Sequence, residues 1–143
     1  MVQMEPHFRD ATMGRLCFAL SLLSLLAALA AAQDKYPDTF DKLDLQELLG
    51  DKERVQAAIK CLKEEADTEC RPAGKLLKSV LAEIVKTDCA KCTETQKQKV
   101  AGFFSFVSQN YPEQMQQLLD KYDPSKEYRT KYAQSWAADG IKV

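Results

Sequence analysis

The chain has 143 residues, with 20 Lys and Arg against 21 Asp and Glu and a formal net charge of −1. That balance leaves no cationic excess to neutralise phosphates, which argues against a nucleic-acid partner. The length suits one domain, and a single histidine narrows the catalytic chemistry open to it.

The first element is an uncharged run from Leu16 to Ala32, LCFALSLLSLLAALAAA, with Arg15 before it and the polar Gln33-Asp34-Lys35 after it. A basic flank, an apolar stretch and the small-residue site Ala30-Ala31-Ala32 predict a secretory signal peptide over residues 1–32. A membrane-spanning helix wants about 20 apolar residues; this run is shorter and alanine-rich, so cleavage is expected rather than stable membrane insertion. Met13 is an alternative initiator, because MGRLCFALSLL already has the form of a signal start. Cleavage would remove His7 and Cys17 and leave residues 33–143 as a secreted, extracellular domain with no histidine. Small exported domains have modest cores and often add disulfides.

Helical spacing dominates that domain. Residues 34–41, DKYPDTFD, read as an extended arm. Asp44 caps a short helix bearing Leu45, Leu48 and Leu49; Gly50 ends it and Asp51 caps the next. Val55, Ala58, Ile59 and Leu62 follow at three- and four-residue spacing, to a helix end near Cys61. LKEEADTE, residues 62–69, reads as a solvated loop. Pro72 suits a first helical turn, and Leu76, Leu77, Val80, Leu81, Ile84 and Val85 form a broad apolar stripe behind it. Thr93 and Gln96 have the form of a capping box, opening a helix with Val100, Phe103, Phe104 and Val107 that closes near Asn110. Pro112 starts a short helix with Met115, Leu118 and Leu119. Asp123-Pro124 reads as the start of a last helix carrying Tyr128, Tyr132 and Trp136, and residues 137–143 as a loose tail. The fold class is all-α, a compact bundle of about six short helices.

Cys61, Cys70, Cys89 and Cys92 admit three readings. Four cysteines in an exported chain form an even set, so two disulfides are the default, with three connectivities open. Pairing nearest neighbours is geometrically easy, and each small ring would stabilise by roughly 2–3 kcal/mol. A four-cysteine zinc site fits Cys89 and Cys92, but the eight residues between Cys61 and Cys70 exceed the usual two to four. A redox dithiol at Cys89-x-x-Cys92 lacks the strand-helix-strand setting that such chemistry uses. Without histidine there is no Ser-His or Cys-His pair, and no glycine-rich phosphate loop is present. The residues point to binding rather than to an enzyme, with no metal and no cofactor.

The spacing Cys-x8-Cys-x18-Cys-x2-Cys, joined to LDLQELL, PAGKLLKSVLAEIVKTDCAKCTETQ, KYDPSKEYRTKY and the closing GIKV, resembles the arthropod chemosensory proteins, the OS-D-like family. The likeness runs over almost all of residues 33–143. Three departures stand out: eight rather than the commoner six residues in the first spacing, Ala58 where relatives often carry tyrosine, and Met115 where tryptophan is frequent. The resemblance implies six helices around an apolar channel, disulfides Cys61–Cys70 and Cys89–Cys92, and non-enzymatic carriage of small hydrophobic ligands such as fatty acids, esters, alcohols and semiochemicals. A monomer is expected. The candidate pocket residues are Phe40, Ile59, Leu77, Val80, Leu81, Ile84, Val100, Phe103, Phe104, Val107, Met115, Tyr128 and Tyr132. Phe40 is a candidate closure of the entrance, and the Tyr128–Tyr132–Trp136 stripe is a candidate pocket mouth or simply the docking face of the last helix. The alternative is an extracellular signalling, developmental or defence protein that acts through its surface.

Overall fold

Local capping chemistry sets where each helix begins. In the computed structural model, which describes residues 35–143, helix α1 (Leu45–Gly50) starts where the Asp44 carboxylate accepts the Glu47 amide at 3.0 Å. Asp51 repeats the device for α2 (Lys52–Lys63), accepting the amides of Glu53 and Arg54. Helix α3 (Pro72–Thr87) and helix α5 (Pro112–Tyr122) each open on a proline, where a missing amide costs nothing. Between them α4 (Glu94–Asn110) opens on the full Thr93–Gln96 capping box. Two short helices, α6 (Glu127–Lys131) and α7 (Ala133–Ala138), end the chain. No strand occurs among the described residues. The expected signal segment, residues 1–32, lies outside the described residues.

The apolar faces meet in one core. Helix α4 packs on α5 and α1, α2 packs on α3, α1 and α5, and α3 touches α5. Val55, Leu62, Leu81, Val107 and Leu118 are buried at its centre. Gly102 allows the close approach of α1 to α4: a Cβ there would sit 2.8 Å from the Leu45 side chain. The two disulfides close small rings, Cys61–Cys70 from the last turn of α2 to the loop behind it and Cys89–Cys92 between α3 and α4. Lysine side chains tie down the first ring. Lys78 donates to the carbonyls of Glu65 and Ala66 and pairs with Asp67, and Lys121 donates to the Lys63 carbonyl at the end of α2.

Four local expectations need correction. The N-terminal arm is not simply extended: it forms a 3-10 turn (Asp38–Phe40), and Gln96, with no exposed surface, donates to the carbonyls of Tyr36 and Pro37 at 3.1 Å. Helix α2 runs two residues past Cys61. The last helix is two pieces hinged at Tyr132, and it starts at Glu127 rather than beside Pro124. Asp123 still caps it, from outside the helix, accepting the amides of Tyr128 and Arg129 and the Arg129 Nε. Finally, residues 139–143 are anchored. Ser105 Oγ donates to the Gly140 carbonyl, the Lys142 amide donates to Ser108 Oγ, and the Ile141 amide donates to the Trp136 carbonyl. Gly140 sits at φ 78°, and a Cβ there would lie 2.8 Å from Ser105 Oγ, so only glycine lets the tail lie down.

Asp123 is completely buried. Burial pushes its carboxyl up, but hydrogen bonds from the backbone of Arg129 and Tyr128 and from the Arg129 side chain, with that residue's charge, outweigh it and hold the pKa below the ordinary value. A depressed folded-state pKa contributes stability that is present above the unfolded value of about 3.9 and is lost as pH falls through the folded one. Asp123→Ala, which leaves Arg129 beside an empty site, should cost about 3 kcal/mol in urea unfolding near pH 7. The deficit should shrink below about pH 4; a deficit independent of pH would contradict this account of the cap.

Candidate functional site: two apolar cavities

The interior void is divided in two. The first cavity lies between α3, α4 and α5, and Leu81, Ile84, Val85, Val100, Phe104, Met115, Leu118, Leu119, Tyr122, Trp136 and Ile141 line it. The second, between α1, α2, α3 and α4, is lined by Phe40, Leu43, Leu48, Ala58, Leu62, Leu77, Val100 and Phe103, among others. Helix periodicity explains the division. Adjacent residues on a helix point about 100° apart, so Phe103 serves the second cavity and Phe104 the first, in edge-to-face contact at 5.3 Å. Val100, one turn earlier, lines both.

Of the thirteen pocket candidates named from the sequence, eight line a cavity: Phe40, Leu77, Leu81, Ile84, Val100, Phe103, Phe104 and Met115. Ile59, Val80, Val107, Tyr128 and Tyr132 lie outside both. Ile59 and Val107 are packed into solid core, and Val80 is half-buried against its surface. Tyr132 donates its hydroxyl to the Lys86 carbonyl and stands 6.3 Å from the Trp136 ring, so it docks the last helix pair on α3. Tyr128 spends its amide on the Asp123 cap.

Tyr122 and Ile141 were not among the candidates, and Trp136, a candidate for the pocket mouth, lines the first cavity. Trp136 and Ile141 reach the first cavity because Asp88 holds the segment that carries them. Asp88 ends α3 in the left-handed region, φ 51°, and Cys89 follows at φ 63°. This turn aims the Asp88 carboxylate at α7, where Oδ1 accepts Trp136 Nε1 at 2.9 Å and Oδ2 accepts Ser135 Oγ at 2.7 Å. Lys97 Nζ stands 3.9 Å from the same carboxylate. Tyr122, also in this wall, donates its hydroxyl to the Leu62 carbonyl, and burial pushes its pKa up. At the N-terminal arm, the Tyr36 hydroxyl donates to Glu83, which also pairs with Lys91. Burial first, then the Glu83 bond and charge, push Tyr36 up to about 12. These groups are neutral or paired at neutral pH and serve as frame.

A profile of the insect pheromone-binding family, A10/OS-D, matches residues 36–130, which span the arm, both disulfides and most of both cavity walls. The chain belongs to this family. Its OS-D relatives include ejaculatory bulb-specific protein 3 of Drosophila melanogaster, 37% identical over 124 residues, 87% of this chain and 97% of that protein. Allergen Tha p 1 of Thaumetopoea pityocampa is 31% identical over 113 residues, 79% and 88% of the two chains. Among solved structures, a chemosensory protein in complex with bromo-dodecanol aligns with a TM-score of 0.62 at 34% identity, over 71% of this chain and 99% of that one. Antennal chemosensory protein A6 from the moth Mamestra brassicae aligns at 0.58 and 33%, over 71% and 97%.

In this OS-D protein the Asp88 clamp carries a direct prediction, because Trp136 is the sole tryptophan. Asp88→Ala should destabilise by about 2 kcal/mol through two lost charge-assisted hydrogen bonds. It should also shift the Trp136 emission to the red as the indole loses its seat. Unchanged emission with unchanged stability would remove the clamp.

Proposed function

We propose that this protein is a secreted carrier of small hydrophobic molecules that works without enzymatic turnover or cofactor, as a monomer. The observation that carries the reading is the pair of apolar cavities between the helices. A protein acting only through its surface has no need of such an interior, since unfilled volume costs about 24 cal/mol per Å³. Burying an alkyl chain is worth about 0.8 kcal/mol per methylene. Micromolar affinity, about −8 kcal/mol, therefore needs about ten enclosed methylenes, and the walls of both cavities are predominantly apolar. The structural relative complexed with bromo-dodecanol supports an aliphatic ligand class. Export rests on the apolar run over residues 16–32, and no helix among the described residues is long and apolar enough to cross a membrane.

Terminally brominated dodecanol tests the reading, because Trp136 lines the first cavity and bromine quenches a nearby indole. Saturable quenching is expected. Ala101→Phe, which projects a ring into that cavity, should weaken it at least about tenfold while thermal unfolding shows a folded protein. Quenching that rises linearly with ligand and ignores Ala101→Phe would contradict the carrier. With no histidine in residues 33–143, affinity for this neutral alcohol should stay flat from about pH 5.5 to 7.5; a sharp step in displacement titrations would contradict that.

A further inference from the structure

Among the described residues, Val100 alone stands on the walls of both cavities. Helix α3 shows how the two voids lie. Its N-cap Arg71, Gly74 and Leu77 border the second cavity, whereas Leu81, Ile84 and Asp88 border the first, and no α3 residue borders both. At 1.5 Å per residue these stretches cover about 9 Å and about 10 Å of helix. The cavities therefore follow one another along α3, parted by the single turn from Leu77 to Leu81. On α4, Phe103 faces the second cavity and Phe104 the first. Removing atoms from Leu77, Leu81 or either phenylalanine enlarges one void; removing them from Val100 takes them from between the two. Valine is also suited to a fixed wall. Within a helix its β-branched side chain keeps one strongly preferred χ1 rotamer, and Val100 lies inside α4, seven residues from its start. An unbranched side chain such as methionine could swing aside there.

Resting on the carrier reading, we propose that Val100 is the partition that sets the chain length this protein accepts. An alkyl chain in either cavity gains apolar wall until its end reaches Val100. Methylenes beyond that length find no further enclosure. Because each enclosed methylene adds to affinity, affinity rises with chain length while one cavity fills and then levels off. With the partition removed, a long chain meets one continuous void along about 25 Å of α3, from residue 71 to residue 88. Val100 thus decides specificity through its shape and stiffness, without a polar contact to the ligand.

Displacement of a fluorescent lipid probe by dodecanol and by hexadecanol tests the proposal. The wild-type protein should bind the two alcohols about equally. Val100→Ala should raise hexadecanol affinity about tenfold and leave dodecanol affinity little changed. Leu77→Ala is the control for added volume: it deletes more side chain, but from the second cavity alone, and should not separate the two alcohols. Val100→Ile keeps the branched wall and should behave as the wild type. Should Val100→Ala fold poorly, Val100→Met decides, since it keeps the bulk and loses the branching; it too should favour hexadecanol. A wild-type protein that already binds hexadecanol about tenfold more tightly overturns the partition and leaves the carrier standing. So does an unchanged ratio in both Val100→Ala and Val100→Met, or an equal shift in Leu77→Ala. No saturable displacement by either alcohol overturns both.

Discussion

The hydrogen bonds from Trp136 and Ser135 to Asp88 are the constraint on which the architecture around the first cavity depends. They convert the end of α3 into an anchor for the chain's last two helices, at the corner where the Cys89–Cys92 ring begins. Asp88 and Cys89 both hold left-handed backbone conformations, which non-glycine residues adopt only at a cost. The clamp and the disulfide together over-determine that turn. Without it Trp136 would lose the bonded seat that makes it a cavity wall, and Ile141, whose amide hangs on the Trp136 carbonyl, would lose its place beside it.

Around this anchor the fold meets a general difficulty. A domain of this size has little core to spare, and open interior volume subtracts from it. The compensation is a perimeter of side chains that bond distant backbone carbonyls. Gln96 holds Tyr36 and Pro37, Lys99 holds Asp41 and Leu43, Tyr122 holds Leu62 and Lys121 holds Lys63. Each satisfies a carbonyl at a helix end or in a loop, where no helical partner exists. The helices are thus spaced by their edges as well as by their packing, which lets voids persist between them. The disulfides act in the same way at two corners. They close local rings and leave the long helices free of covalent ties to one another.

Much of this was legible in the sequence because capping and periodicity are local. Asp44, Asp51, Pro72, the Thr93–Gln96 box and Pro112 each mark a helix start that the structure bears out. The tail was not legible, since residues 139–143 are held by Ser105 and Ser108, more than thirty residues away. Core and cavity wall were inseparable for a related reason. Val100 and Val107 lie two turns apart on one helix face, yet Val100 borders both voids and Val107 is fully packed. What decides between them is which neighbours fail to fill the space, and no local pattern records that.

The account stands or falls on whether the interior is a ligand site, and location is the sharpest evidence. Crystals of the protein grown with terminally brominated dodecanol and measured at the bromine edge would show where the chain end lies. Anomalous density inside the cavity bounded by Leu81, Phe104, Leu118 and Trp136, or in its neighbour across Val100, is the predicted result. Bromine found only on the outer surface, with both cavities unchanged, would contradict it.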